Sequence, residues 1–200
     1  DLLINNDSLV ENIHFNDLTI CPKDLGWKAV VSNISDLLSS GSNKTIGITI
    51  SLILPATTEW FWVEELYQGI NKALKEYGGI ILGGDCSKGN QKAISITAFG
   101  IQSELELRRN ACKPGDVILT TGIHGLSKLG FMIKSKKKFD KNISLNERLI
   151  RKSIEHFCRP KVYPNFLKNL LKTRSNKKIN KLGCTDSSDG LFQAVQDLAI

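Results

Sequence analysis

The sequence has 200 residues, a net charge of +7 and 41% hydrophobic residues, enough for one large or two small domains with a real core. No apolar run is long enough to cross a bilayer and no secretory leader opens the sequence, so a membrane partner is not expected. Cys21, Cys86, Cys112, Cys158 and Cys184 form no CxxC or Cys/His pair, which argues against zinc and a disulfide framework and fits a cytoplasmic protein.

Leu2 to Asn6 reads as a strand that delivers Asp7 at its end. Lys23 to Ser40 is expected to be a helix, because Leu25, Ala29, Val30, Ile34, Leu37 and Leu38 recur at helical spacing and Gly41 follows as a stop. Thr45 to Leu54 alternates as a half-buried strand would, ending at Pro55. Thr57 or Thr58 is placed to cap a helix through Trp62, Leu66, Ile70 and Leu74 to Gly78-Gly79. Ile80-Ile81-Leu82 reads as a short buried strand with Gly83-Gly84-Asp85 at its end, and Ala93 to Ile101 alternates again. Lys113-Pro114-Gly115-Asp116 is a turn, Val117-Ile118-Leu119 a strand, and the pattern is mostly helical from about Leu126 to Leu171. Cys184 to Ser187 reads as the end of a further strand, and Asp189 as the start of a helix through Leu191, Val195 and Leu198.

Long alternating strands mixed with helices point to an α+β (α/β sandwich) layer rather than a uniform βαβ repeat. The charged stretch Glu104 to Arg109 marks a boundary, giving domains over 1–107 and 108–200. The start at Asp1-Leu2-Leu3-Ile4 reads as the inside of a strand, and Asp197-Leu198-Ala199-Ile200 stops inside a helical pattern. The sequence is therefore expected to be a fragment, its second domain incomplete.

Much of the positive charge lies in Lys134, Lys136, Lys137, Lys138 and Lys141, around Phe139 and Asp140, and in Lys172 to Lys181. Both read as solvated loops, not a nucleic-acid surface: no aromatic series accompanies the lysines and no nucleic-acid motif is present.

Against this basic background, aspartates recur among small polar residues: Asn5-Asn6-Asp7, Asn33-Ile34-Ser35-Asp36, Gly83-Gly84-Asp85 and Asp186-Ser187-Ser188-Asp189-Gly190. Separated carboxylates that converge suit Mg²⁺, which is held by a few carboxylates together with substrate phosphates. Each motif also has a plainer reading as a turn, a cap or an exposed polar pair. Asn33 and Asp36 share a helix face, Asp186 and Ser188 point the same way on extended chain, and Ser188 or Asp189 then opens a helix whose amides favour an anion. Gly84 to Gly89 has P-loop glycine spacing, but Asn90 and Gln91 stand where Lys and Ser/Thr are required, which rejects a Walker A loop. Arg108-Arg109 reads as a solvated pair or a phosphate clamp. His14, between Ile13 and Phe15, reads as a packed histidine.

In order along the chain, these pieces resemble the thiamine-monophosphate kinases. Asn6-Asp7-Ser8-Leu9-Val10-Glu11-Asn12-Ile13-His14-Phe15 is similar to that family's Thr-Asp-x-Leu-Val-Glu-Gly-x-His-Phe. Leu25-Gly26-Trp27-Lys28-Ala29, Asn33 to Asp36, Gly83-Gly84-Asp85, Arg109, Lys113 to Asp116, Thr121-Gly122, Arg159-Pro160 and Asp186 to Leu191 follow in the family's order. The resemblance implies a two-domain fold of the aminoimidazole-ribonucleotide-synthetase type whose amino-terminal domains pair in a homodimer, with ATP near the pairing surface. It implies ATP-dependent phosphorylation of thiamine monophosphate to thiamine diphosphate by direct in-line transfer. Asn6, Asp7, Asp36, Asp85, Asp186 and Asp189 would hold several Mg²⁺ ions. Tyr67, Gly84, Asp85, Arg109 and Ser188 would contact ATP, and His14 the thiamine phosphate. Asn5-Asn6 replaces Ser/Thr-Thr, and Cys86 replaces a threonine. The alternatives are another ATP-using relative on the same fold (selenophosphate synthetase, aminoimidazole-ribonucleotide synthetase or the hydrogenase-maturation type) or a basic nucleic-acid-binding module.

Overall fold

A computed structural model of the chain describes residues 1–137, 144–166, 169, 172 and 181–199. Lys138, Phe139, Asp140 and Lys141 of the first lysine run lie outside the described residues, as do residues 173–180 of the second. The elements are β1 (Leu2–Val10), α1 (Pro22–Ser39), β2 (Ser42–Leu54), α2 (Trp60–Tyr77), β3 (Ile80–Lys88), β4 (Ala93–Gln102), β5 (Glu106–Arg108), α3 (Leu126–Lys134), α4 (Glu147–Cys158), β6 (Lys181–Gly183) and α5 (Leu191–Leu198), with a 3-10 turn over Arg109–Ala111 after β5.

β1, β4, β2 and β3 form one sheet in that order; only the β2–β3 pair is parallel, joined by the crossover through α2. Alternation decides the faces. Ile94, Ile96 and Ala98 of β4 and Ile48, Ile50 and Leu52 of β2 are buried under the helices, while Ser95, Thr97, Thr49 and Ser51 occupy the other side. Helix α1 lies across β1, β4 and β2 and buries Leu25, Val30, Val31, Ile34 and Leu37. Pro22 opens it with a preset φ. Helix α2 packs on α1 with Leu66, Ile70 and Ala73 buried, and ends at Gly78 and Gly79, both at positive φ.

Two glycines set the distance between these helices. A Cβ on Gly26 would sit 2.1 Å from the Leu66 carbonyl oxygen, and one on Gly69 would sit 1.8 Å from that of Lys23. The backbones touch, and no side chain fits between them.

The chain after β4 is built differently. Leu105 and Leu107 form a small separate core with Leu182 and Cys184, where β5 pairs in parallel with β6. Helices α3 and α4 pack together at Gly130, whose Cβ would meet the Ser153 carbonyl at 2.1 Å. Asn146 caps α4 by accepting the Leu149 amide at 2.8 Å. Helix α4 is tied to α1: the Trp27 indole donates to the Pro160 carbonyl at 2.8 Å, Arg159 pairs with Asp24, and the Lys28 ammonium lies 4.2 Å from the Phe157 ring centroid.

The structure corrects several expectations. β3 is neither short nor buried: it runs through Gly83, Gly84 and Asp85 to Lys88 and is exposed along its length, because it is an edge strand beyond the reach of α1. Val117, Ile118 and Leu119 form no strand, since among the described residues no strand lies beside them to satisfy their backbone. Helix α2 begins at Trp60 without a threonine cap; the Thr58 amide instead closes a turn onto Pro55. The charged Glu104–Arg109 stretch contains β5, where Leu107, like Leu105 just before it, faces inward. β6 ends at Gly183, ahead of Cys184, and α5 starts at Leu191 after Gly190 at positive φ, not at Asp189.

The crossing of α1 and α2 gives a test of sign. Helix propensity alone makes Gly→Ala stabilising by about 1 kcal/mol. The overlap at Gly26 and Gly69 outweighs it, so Gly26→Ala and Gly69→Ala are each expected to destabilise by about 1–3 kcal/mol in urea unfolding. A raised midpoint for either would contradict the close contact.

Candidate functional site

The site begins with the two-residue period of β1. Asn5 and Asp7 stand opposite the buried Ala98 and Ile96, and so face α1; Asn6 and Ser8 stand opposite Thr97 and Ser95 and face outward. On α1, Asn33 and Asp36 are one turn apart and meet β1. One amide nitrogen joins them: Asn5 Nδ2 donates to Asn33 Oδ1 at 3.0 Å and to Asp36 Oδ2 at 2.7 Å. Asn33, almost fully buried, spends its own amide on the Ala29 carbonyl at 2.9 Å. The asparagine pair is thus fixed before any ligand arrives.

Asp186 reaches the same place from the segment between β6 and α5 and shares a hydrogen bond with Asp36. The Asp36 carboxyl is pushed up from 3.8 to about 7, first by burial, then by the charges of Asp186 and Asp7, with the Asn5 bond opposing. Three like charges close together are a cost that a cation or a shared proton relieves. Asp186 Oδ2 also accepts the Ser188 amide at 3.1 Å and the Ser188 hydroxyl, folding 186–188 into a tight turn. The next residues open onto a cavity of about 230 Å³ lined by Arg109, Asp186, Asp189, Gln193 and Asp197. Arg109 pairs there with Asp197 at 3.5 Å, and Gln193 donates to Asp197 at 2.7 Å. Burial, with the Asp186 charge behind it, pushes the Cys184 thiol up to about 11.

Asp7, Asp36, Asp186, Ser188, Asp189 and Arg109 therefore lie on one side of the sheet or at the cavity beside it. Gly84 and Asp85 do not join them. They sit on β3, the opposite edge from β1, roughly 14 Å away by strand spacing. Asp85 stands in the cross-sheet row Ser8–Ser95–Ser51–Asp85 and accepts the Ser87 hydroxyl at 2.8 Å. Tyr67, on α2, lies near Cys86 on that far side; burial raises its phenol, aided by the Cys86 charge. Asn6 faces away from Asp36 and donates to Thr97 Oγ1 at 2.8 Å. Asn5, Gln193 and Asp197 join the site beyond the residues expected from sequence; the period of β1 and the i, i+3 spacing of Asn33 and Asp36 carry the signal for Asn5, and nothing local carries one for Asp197. His14 is exposed, not packed, and its Nδ1 accepts the Val10 amide at 3.0 Å.

The donor chemistry here is oxygen only, which fits a hard cation such as Mg²⁺. Among the described residues no three His, Cys, Asp or Glu side chains are arranged to hold a metal by themselves. Ligand oxygens would have to complete the shell, as phosphates do for Mg²⁺.

Comparison with known proteins supplies the family. Residues 1–102 match the model of AIR synthase related protein, N-terminal domain. The chain is 42% identical over 198 residues to a thiamine-monophosphate kinase of Prochlorococcus marinus, covering 99% of this chain and 60% of that protein. A thiamine-monophosphate kinase of Synechococcus elongatus is 34% identical, with 97% of this chain and 58% of the relative covered. Among solved structures, AaThiL complexed with AMPPCP and TMP superposes with a TM-score of 0.75 at 29% identity, over 86% of this chain and 53% of that one. The chain thus spans about 60% of the length of the Prochlorococcus relative. From its matched sheet-and-helix layer and the order of its motifs, the chain belongs to the AIR synthase related family, and within that family it is similar to the thiamine-monophosphate kinases.

Proposed function

We propose that the whole protein is a cytoplasmic thiamine-monophosphate kinase that moves the γ-phosphoryl group of ATP directly onto thiamine monophosphate, giving thiamine diphosphate and ADP. The observation that carries this reading is the meeting of Asp36 with Asp186, within reach of the Asp7 charge, from three separate segments. An acceptor that is already a phosphate needs no strong general base. The obstacle is repulsion between two polyanions, and phosphoryl transfer is catalysed mainly by positioning and charge neutralisation. Mg²⁺ held by Asp7, Asp36, Asp186 and Asp189 would supply that neutralisation. In this reading Arg109, at the cavity, binds ATP phosphate in exchange for Asp197, Ser188 orients it, and His14 meets the acceptor phosphate.

The reading includes a domain division at 107/108 and a homodimer. The sheet face opposite the helices exposes Leu2, Ile4, Ile53 and Ile101, an apolar surface that a second copy would cover. In this reading the two copies pack so that the β3 edge of one lies toward the β1 edge of the other, which brings Asn6, Gly84 and Asp85 into the metal and ATP sites, with Tyr67 on α2 beside that edge.

Three outcomes are expected of the whole protein. Asp36→Asn and Asp186→Asn lower kcat with Mg²⁺–ATP and thiamine monophosphate by roughly 10²-fold or more, with circular dichroism unchanged; turnover within twofold of normal, or better turnover of thiamine or an aminoimidazole precursor, would count against the reading. Ile4→Lys shifts the protein to monomer in sedimentation. For Asp36, the folded state keeps a proton up to about pH 7 that the unfolded state releases near 3.8. The contribution of Asp36 to stability in chelator is therefore fully present below that lower value and is lost as pH rises through 7. Mg²⁺ should raise the melting temperature more at pH 7.5 than at pH 5.5, a difference that Asp36→Asn removes.

A further inference from the structure

The segment between β1 and α1 carries His14, and its shape is imposed from outside. Asn12 lies at φ 64, a left-handed conformation that asparagine tolerates in turns. The turn closes with the Asn12 amide on the Phe15 carbonyl at 2.7 Å and the His14 amide on the Val10 carbonyl at 2.8 Å. Phe15, Thr19 and Ile20 are buried, and His14 between them and the strand is not. Because Nδ1 accepts the Val10 amide, the imidazole presents its Nε2–H to solvent, a donor suited to a phosphate oxygen.

What holds the turn is Lys92, just before β4, the antiparallel partner of β1. Its backbone pairs with Glu11 in both directions, the Glu11 amide donating to the Lys92 carbonyl at 2.9 Å and the Lys92 amide to Glu11 Oε2 at 3.0 Å. Its ammonium binds Glu11 Oε1 at 3.1 Å and also Asp17. Asp17 is held on its other oxygen by the Trp62 indole at 3.1 Å, and the same ammonium lies 5.2 Å from the Trp62 ring centroid. The Lys92 and Glu11 side chains are only 12% and 18% exposed, so this node is not an ordinary surface pair. Burial pulls the ammonium downward, yet the bonds to Asp17 and Glu11 prevail and hold it above its usual range. Glu11 and Asp17 bracket His14 on both sides in sequence, and one cation clamps both to α2 and β4.

We propose that Lys92 is a positioning residue for acceptor recognition: by joining Glu11, Asp17 and Trp62 it fixes the 11–17 turn in the conformation that presents the His14 imidazole to the phosphate of the acceptor. This inference rests on the proposed kinase reading, in which His14 meets that phosphate, and it assigns the selectivity of the turn to a residue outside the turn. Lys92 touches neither substrate; it acts through His14.

The test uses the whole protein with Mg²⁺–ATP and thiamine monophosphate. Lys92→Met keeps the aliphatic cover of Trp62 and removes the charge. It is expected to raise the KM for thiamine monophosphate about tenfold, on the scale of coupling within one network, while kcat and the KM for ATP stay within about twofold. Lys92→Arg is expected to restore the normal KM. In a cycle with His14→Ala, the Lys92→Met effect should vanish, whereas a merely structural role would leave the two effects additive. Additivity, an equal rise in both KM values, or no rise at all would overturn the proposal. Should Lys92→Met not fold, Trp62→Phe removes the indole donor, with part of the ring, and is expected to raise the acceptor KM by about threefold with kcat and the KM for ATP unchanged; an unchanged acceptor KM overturns the proposal equally. Failure of the unmodified protein to phosphorylate thiamine monophosphate is a separate result: it removes the kinase reading, and the inference with it.

Discussion

The arrangement depends on keeping carboxylates together that repel one another. Asp36 is half-buried beside Asp186 and feels Asp7, and its raised proton affinity reflects first its burial and then that company. A flexible chain would let the three groups drift apart. Asp36 and the strand that carries Asp7 are held together here, because Asn5 on β1 donates to both Asn33 and Asp36 on α1, and Asn33 is locked to its own helix. Two neutral amides thus hold a charged group in place without neutralising it. That leaves the charge available to a cation.

The rest of the amino-terminal layer serves that placement. Helix α1 must lie close over β1, and its outer side must therefore be covered by α2 without pushing it away. Gly26 and Gly69 allow that, since backbone meets backbone at the crossing. The sheet beneath keeps β1 in register through its pairing with β4, so that Asn5 and Asp7 both turn inward. A register slip of one residue would present Asn6 and Ser8 to the helix instead. On the far side the same alternation lays down a row of hydroxyls and Asp85, with apolar residues at its ends.

Much of this was legible in the residues. The helices over Leu25–Leu38 and Trp62–Leu74 and the alternating strands over Thr45–Leu54 and Ala93–Ile101 follow from periodicity, which reports burial against a single face. β3 misled, because a run of isoleucine and leucine reads as buried whether it lies inside a sheet or at its edge. Val117 to Leu119 misled for a related reason: strand formation needs a neighbour, and no local pattern reveals one. In the site, the aspartates were visible as motifs, and Asn33 with Asp36 as a helical pair. The choice between Asn5 and Asn6 required the register of β1 against β4, which is a long-range property. The separation of Asp85 from Asp7 required strand order, which residue spacing does not encode.

Helix α1 has contacts of two kinds along one rigid rod. Near its amino end Asp24, Trp27 and Lys28 grip the carboxyl end of α4 and the residues just beyond it, through Arg159, Pro160 and Phe157. Near its carboxyl end it carries Asp36. Asp24 and Asp36 lie about 18 Å apart along the axis at the standard rise. A tilt of about 10° pivoting at the amino end would then carry Asp36 through about 3 Å, the length of one hydrogen bond. One rigid helix therefore spans both sets of contacts, the grip on α4 at its amino end and Asp36 at its carboxyl end.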